Sequence, residues 1–172
     1  KNFLNENDTN QNGINLVEGE TPPEKVTSIR HTNTLEEGFS FIEDYVFFAE
    51  AQIRIYEVTG NPVFKENFRD TLTFIEKEFI DEDSILTRPK SLEDLHLYPN
   101  QKVNAFDNSY KSPTSNLIGL FRRAAVLFLD KDYLDIVEKV KEKSIHESLK
   151  NPIGSGEALR SLTYPDEVYR VV

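Results

Sequence analysis

The sequence predicts an all-α domain assembled from helical hairpins, and three observations lead to this prediction. Two successive helical segments differ in their apolar pattern: the first is apolar on most of its circumference, and the second along one stripe only. The same order recurs about seventy residues later, an offset longer than the units of common helical repeats. A loop of about thirty residues, mixing charged and aromatic side chains, connects the two pairs.

The first hairpin is predicted at 41–59 and 62–79, with the turn Gly60-Asn61-Pro62 between its helices. Apolar side chains surround most of the first helix, so we expect it to be an inner helix buried on several sides. The second helix has charged residues opposite a single apolar stripe, which is typical of an outer helix. That stripe consists of Phe64, Phe68, Leu72, Ile75 and Phe79.

The second hairpin repeats this order, with an inner helix at 113–129 and an outer helix at 132–148. A shorter third helix is predicted at 156–163, and a terminal strand at 166–172. Residues 1–37 form a polar, Asn-rich lead-in, and the two and a half hairpins occupy 38–165. The most buried side chains are expected on the inner helices, at Tyr45, Phe48, Ile55, Phe121 and Leu127.

The composition narrows the possible partners. A formal net charge of -10 argues against nucleic acid and against an anionic membrane, since both require basic patches. The chain contains no Cys, which excludes disulfides, thiol catalysis and thiolate metal sites and is consistent with a reducing compartment. We therefore expect a cytoplasmic protein. No apolar run approaches the length of a membrane span.

The pattern of hairpins also suggests an incomplete assembly. Two and a half hairpins would leave the far side of the inner helices uncovered, so more chain or a partner is expected to complete the core. The absence of Met, including at position 1, is consistent with an internal excerpt of a longer chain.

Two adjacent carboxylates, Glu43 and Asp44, lie at the start of the first helix and suggest acid–base chemistry there. Ser40-Phe41-Ile42-Glu43 has the form of a capping box, in which Ser and Glu side chains satisfy backbone N–H groups, and this favours a structural role for Glu43. Asp44 is not needed for that cap. It is therefore the candidate catalytic residue of this segment.

The second inner helix offers a similar start. Ser112 is the predicted cap, and Pro113 occupies the first helical position, where its missing N–H costs nothing. Asn116 lies in the first turn and is the better candidate for binding a ligand. Two helix N-termini that face one opening would favour hydroxyls or an anionic group there.

The loop between the hairpins, 80–111, carries the remaining candidates. Loops of this length in a compact domain are usually functional or disordered, and this one combines charges with planar rings, as a sugar site requires. A solvated loop packed by its own leucines is the alternative. The candidate catalytic groups here are Asp107 and His96, and the candidate ligand-binding residues are Arg88, Lys90, Asp94 and Tyr110. We expect Asp44, Arg88, Asp107 and Asn116 to face one cavity.

No metal or cofactor site is predicted. The three histidines, His31, His96 and His146, are too scattered for a metal signature. The chain has no Gly-rich phosphate loop, no Gly-x-Ser-x-Gly elbow and no Cys nucleophile.

Four strings carry a resemblance to a known family. They are Phe41-Ile42-Glu43-Asp44-Tyr45-Val46-Phe47-Phe48, Tyr56-Glu57-Val58-Thr59-Gly60-Asn61-Pro62, Arg88-Pro89-Lys90 and the segment from Asp107 to Asn116. In this order they resemble the C-terminal part of the thioredoxin-domain-containing family that includes the spermatogenesis-associated YyaL-like proteins. The resemblance covers about residues 38–172.

The resemblance implies that the hairpins belong to an (α/α)6 toroid similar to N-acylglucosamine 2-epimerase and the six-hairpin glycosidases. It implies a carbohydrate-type pocket that binds a small sugar, with the rest of the chain needed to close the toroid. The thioredoxin-like module and its Cys pair are missing, so no redox activity is assigned. The alternative is a non-catalytic helical scaffold that binds a protein partner.

Overall fold

The structure is a computed structural model that describes residues 29, 31, 40–82, 84–91, 100–107 and 109–163. Within these residues it contains five α-helices and no named strand, which confirms the all-α class. The helices are α1 (Ile42–Thr59), α2 (Pro62–Phe79), α3 (Pro113–Phe128), α4 (Asp132–Lys150) and α5 (Gly156–Thr163). The predicted strand at 166–172 lies outside the described residues, as does all of the predicted lead-in except Ile29 and His31.

The helix ends follow the local sequence. Asn61 caps α2, since its side-chain oxygen accepts a hydrogen bond from the Val63 N–H at 3.0 Å, and Pro62 takes the first helical position. Ser112 and Pro113 repeat this arrangement at α3, where the Ser112 Oγ accepts from the Ser115 N–H at 3.3 Å, as predicted. These caps fix where both helices begin.

The first helix begins differently from the prediction. Its cap position is Phe41, and Asp44 accepts the Phe41 N–H through Oδ2 at 2.9 Å. The capping box predicted for Ser40 and Glu43 is therefore wrong, because the helix starts one residue later and the carboxylate that reaches back is that of Asp44. The Ser40 hydroxyl instead lies 3.4 Å from the Tyr45 hydroxyl.

The hairpins pack through their first helices. Helix α1 contacts both α2 and α3, and α3 contacts α1, α4 and α5, so the two hairpins meet through α1 and α3, the helices predicted to be inner. One core cluster spans these elements, and its fully buried side chains include Phe68, Phe79, Phe121, Ile42, Leu72 and Leu117. At the C-terminal end of α3, the Arg69 guanidinium lies 4.2 Å from the centre of the Phe128 ring, and this cation–π contact connects α2 to α3.

The predicted burial of the inner helices is confirmed for Tyr45 and Phe121 and wrong for the other three residues. Phe48 and Leu127 are half-buried, and Ile55 is 38% exposed. The reason is that α1 is covered on one side only among the described residues. Its opposite side presents an exposed apolar stripe of Phe47, Ala51, Ile55 and Val58, at helical spacing.

Candidate ligand-binding site

A cavity of about 200 Å³ lies between α1, α3 and α5, and we call it the inner cavity. All of its lining belongs to these three helices except Lys111, which precedes α3. Its walls are polar and charged. The lining side chains include Glu50 and Arg54 from α1, Asn116, Arg122 and Arg123 from α3, and Glu157 and Arg160 from α5.

Asn116 is the predicted ligand-binding residue that lines this cavity. It lies in the first turn of α3, where the Ser112 cap and Pro113 fix the helix start, and it is only 9% exposed. Its backbone N–H donates to the Ser112 carbonyl at 3.1 Å. In the described part of the chain, no hydrogen bond from another group reaches its side-chain amide. The amide is thus available to a molecule in the cavity.

More cationic than anionic side chains line the inner cavity. Five cationic side chains line it, namely Arg54, Lys111, Arg122, Arg123 and Arg160, against the two carboxylates of Glu50 and Glu157. Arg123 is held by Glu57 of α1 at 2.6 Å, and Arg122 donates to the Ser161 carbonyl at 3.1 Å. Both guanidinium groups are therefore fixed in direction by contacts to neighbouring helices.

The Glu157 carboxylate contacts two of the cationic side chains that line the cavity. The Arg160 Nε donates to it at 2.8 Å, and the Lys111 ammonium lies 3.0 Å away. Hydrogen bonds from Arg160, then from Lys111, outweigh the effect of burial and lower the pKa of Glu157 from 4.5 to about 2. This side chain therefore stays ionised across the physiological range.

Asp107, a predicted catalytic residue, is bound at both oxygens. Its Oδ1 accepts the Ser112 N–H at 2.9 Å, and its Oδ2 accepts the Glu157 N–H at 2.8 Å. Its own backbone N–H donates to the Gly154 carbonyl at 2.7 Å. One carboxylate thus joins the starts of α3 and α5, next to the inner cavity. Its catalytic role stays a prediction.

Asp44, the other described candidate for catalysis, holds the start of α1. Besides accepting the Phe41 N–H, its carboxylate lies 2.9 Å and 3.1 Å from the His31 Nδ1. The His31 ring also meets Phe41 edge to face. These contacts attach residue 31 to α1, and Asp44 is not among the residues that line the inner cavity.

Arg88 and Lys90 lie on the loop side of the hairpins. The Arg88 backbone N–H and carbonyl both bond the Asn100 side chain, at 3.2 Å and 2.8 Å. The Lys90 ammonium donates to the Ile80 carbonyl at 2.8 Å and lies 3.3 Å from Asp81, whose pKa it lowers mainly by hydrogen bonding. Lys90 thus holds the end of α2, and neither residue lines the inner cavity.

The remaining candidates are Tyr110, Asp94 and His96. Tyr110 is 53% exposed, and its ring meets Phe47 of the exposed stripe at 5.4 Å between centres. Asp94 and His96 lie outside the described residues. The structure therefore places Asn116 in the lining of the inner cavity and Asp107 beside it. Asp44, Arg88 and Lys90 make their contacts outside this cavity.

The sequence interpretation missed the basic residues of the cavity. Arg122 and Arg123 are the only charged residues within α3, whose other members are apolar or uncharged. Two adjacent arginines in the middle of an inner helix need a polar environment or a partner, and that requirement was a usable signal. Arg54 and Arg160 gave no comparable signal, because each lies among other charged residues on its helix.

A second cavity, of about 330 Å³, lies between the loop, the start of α3 and the outer helix α4. Its lining combines hydroxyls and two lysines with a few apolar groups: Ser84, Ile85, Lys102, Val103, Asn104, Ala105, Thr114, Lys143, Ser144 and Glu147. Lys143 already donates to the Glu82 carbonyl. None of the predicted site residues lines it.

The described ranges offer neither a metal site nor a membrane span. They contain no group of three or more His, Asp or Glu side chains placed to hold a metal ion. Among the helices of those ranges, none is both long enough and apolar enough to cross a bilayer. Neither a scan against protein-family models nor a search of curated proteins matches this chain.

Proposed function

We propose that this chain is part of an (α/α) toroid that binds a small polyhydroxylated ligand, of carbohydrate type, in the inner cavity. The observation that supports it is Asn116, a residue only 9% exposed whose side-chain amide lines the cavity and has no hydrogen-bond partner among the described residues. Because the amide is not among the buried polar atoms without a partner in the described ranges, it is open to the cavity and free to contact a molecule there. An amide both donates and accepts, as a sugar hydroxyl does, so the two are complementary.

The choice of helices that line the inner cavity supports the toroid arrangement. In a barrel of inner and outer helices, the inner helices face the central opening, where the ligand is bound. Here α1, α3 and α5 alternate in the chain with the outer helices α2 and α4, and those three helices line the cavity. The exposed stripe of α1 is the side on which further hairpins would pack.

The carboxylates in and beside the inner cavity favour ligand binding over acid–base catalysis. An epimerase or glycosidase needs a carboxyl or imidazole group whose pKa lies near the working pH. The pKa of Glu157 is held at about 2, so this carboxyl cannot donate a proton at neutral pH. Asp107 already accepts two backbone hydrogen bonds through its carboxylate.

Nuclear magnetic resonance titration of the chain with glucose, mannose and N-acetylglucosamine tests the proposal. We expect shifts confined to amides of α1, α3 and α5, and an affinity about tenfold lower for Asn116→Ala, as removal of one hydrogen-bonding group predicts. Asn104→Ala is the matched control, because Asn104 lines the second cavity. The proposal fails if no sugar binds, or if Asn104→Ala is the variant that weakens binding.

A protein-binding scaffold is the second candidate, and the exposed apolar stripe of α1 favours it. Val58 is 87% exposed, and Phe47 and Ile55 on the same stripe are 41% and 38% exposed. A contiguous apolar surface of this kind is typical of a site that another chain covers. In this case Asn116→Ala would leave partner binding intact, whereas Ile55→Asp would abolish it.

A further inference from the structure

Gly119 is the one exposed residue in the first part of α3. Every other residue from 113 to 121 is buried, and its neighbours Ile118 and Leu120 belong to the core cluster. Gly119 lines the inner cavity, and a Cβ atom at this position would have nothing within 4 Å. The surface of α3 that faces the cavity is therefore bare backbone at this point.

The surrounding structure does not require a glycine here. Gly60 ends α1 in the left-handed conformation, and Gly154 lies against the Phe106 ring, which a Cβ would strike. Gly119 has neither reason, since it lies inside a helix with open space beside it. In a helix interior glycine is less stabilising than alanine, because it loses more conformational freedom on folding. The missing side chain thus lowers stability and leaves room in the cavity.

Asn116 lies next to Gly119 on the cavity wall, because residues three apart are neighbours on a helix surface. Asn116 is nine-tenths buried, and its side-chain amide lines the cavity without a hydrogen-bond partner among the described residues. A polar group and a stretch of bare backbone therefore lie side by side. The amide can bond a hydroxyl while the C–H groups of the same ligand pack against the backbone.

The charged side chains of the cavity are already engaged. They pair within the lining or with neighbouring elements: Arg54 with Glu50, Arg123 with Glu57, Lys111 and Arg160 with Glu157, and Arg122 with the Ser161 carbonyl. A neutral ligand that uses the Asn116 amide and the backbone at Gly119 leaves all of these contacts intact. An anion would have to compete with the carboxylates for their partners.

We propose that the ring of a neutral sugar lies flat on the α3 backbone at Gly119, with one hydroxyl bonded to the Asn116 amide. This inference rests on the proposed function and adds the residue that sets how closely the ligand approaches. Carbon atoms in contact lie about 3.5–4.0 Å apart, so a ring carbon packed on the cavity side of the Gly119 Cα would collide with a Cβ. Gly119 is therefore a specificity-determining residue, since the ring face placed on it can carry hydrogen atoms but no larger group.

Gly119→Ala tests this contact, because the substitution should change stability and binding in opposite directions. We expect the melting temperature to rise by about 2–4 °C, since alanine favours the helix. The affinity for the tightest-binding of glucose, mannose and N-acetylglucosamine should fall at least tenfold, because the added methyl group meets the ring. Thermal unfolding and calorimetric titration of the 172-residue chain measure the two effects.

Gly156→Ala is the matched control. Gly156 also has helical backbone angles and nothing within 4 Å of an added Cβ, but it does not line the cavity. Its substitution should leave the affinity for the same sugar unchanged. An equal loss of affinity in both variants would overturn the inference, because the effect would then not depend on contact with the ring.

The remaining outcomes separate the inference from the proposed function. If Asn116→Ala weakens sugar binding while Gly119→Ala binds as tightly as the wild type, the inference is overturned and the proposed function stands. A lower melting temperature for Gly119→Ala would assign the glycine to the fold and would also overturn the inference. If no sugar binds the wild type, both fail.

Discussion

At the scale of single residues, the carboxylate of Asp107 connects three segments that are distant in the sequence. It accepts one N–H group before α3 and another in the first turn of α5, while its backbone bonds Gly154. Charged hydrogen bonds to helix N-termini are stronger than neutral ones. Asp107 therefore contributes to stability whether or not it also meets a ligand.

Asp107→Ala should lower the free energy of unfolding by about 2–3 kcal/mol, because two backbone N–H groups lose a charged acceptor. Urea denaturation followed by circular dichroism measures the change. Asp135→Ala is the control, since Asp135 is an exposed acidic residue in the first turn of α4. An Asp107→Ala variant with wild-type stability would contradict this expectation, and loss of ligand binding in that variant would indicate that Asp107 contacts the ligand.

Glu157 should make stability depend on pH in the acid range. Its pKa is lowered on folding from 4.5 to about 2. The stabilisation that the ionised carboxylate gives to the folded state is therefore complete above pH 4.5 and is lost as the pH falls toward 2. The difference in unfolding free energy between the wild type and Glu157→Gln should shrink across this interval. Denaturation series at pH 6, 4 and 2.5 check this, and a constant difference would contradict it.

At the scale of elements, the two inner helices end in the same left-handed conformation with different residues. Gly60 ends α1 with a φ of 68°, and Leu129 ends α3 with a φ of 54°. Their backbone N–H groups bond the Tyr56 and Ala125 carbonyls. Glycine adopts this conformation without strain, whereas a leucine there costs roughly 1–2 kcal/mol.

Leu129→Gly should therefore stabilise the protein, while Gly60→Ala should destabilise it. We expect a gain of about 0.5–1 kcal/mol for the first, after the added chain entropy of glycine, and a loss of about 1 kcal/mol for the second. Leu129 is 71% exposed, so little packing is lost. Thermal unfolding of both variants tests the pair, and a lower melting temperature for Leu129→Gly would contradict the strain argument.

The helices could be predicted from sequence because their signals are local. Apolar periodicity and the caps Asn61 and Ser112 located each start and end within two residues. The start of α1 was less certain, because Glu43 and Asp44 are adjacent and a shift of one residue decides which of them reaches the backbone. The exposure of Ile55 depends on neighbouring elements, and no local pattern encodes those.

At the scale of the whole molecule, the inner cavity was the hardest feature to predict. Its walls come from α1, α3 and α5, and Glu50 and Glu157 are more than a hundred residues apart. The sequence indicated Asn116 through its place in a helix start, which is a local property. The meeting of Arg54, Arg123 and Arg160 depends on how three helices pack, and their spacing along the chain does not reveal it.

The exposed stripe of α1 should cause the chain to self-associate in solution. Val58, at 87% exposure, lies on this stripe, and apolar surface of this kind is buried when molecules associate. Val58→Lys should therefore shift sedimentation toward a monomer at concentrations where the wild type associates. Ile153→Lys is the matched control, because Ile153 is 97% exposed and lies just before α5, outside the exposed stripe of α1. A wild-type chain that remains monomeric would contradict the expectation.

The link from Asp107 to Glu157 also joins the stability of α5 to that of the loop before α3. Helix α5 has eight residues, too few to persist in water without tertiary contacts, and its first turn is held through Asp107. If residues 104–107 detached, α5 would lose the hydrogen bond to Asp107 that holds its first turn. The cavity would then lose the part of its lining that contains Glu157 and Arg160. The amide hydrogens of α5 and of Ser112 should accordingly exchange with solvent as one cooperative unit. One cavity wall would then be only as stable as a loop that does not itself line the cavity.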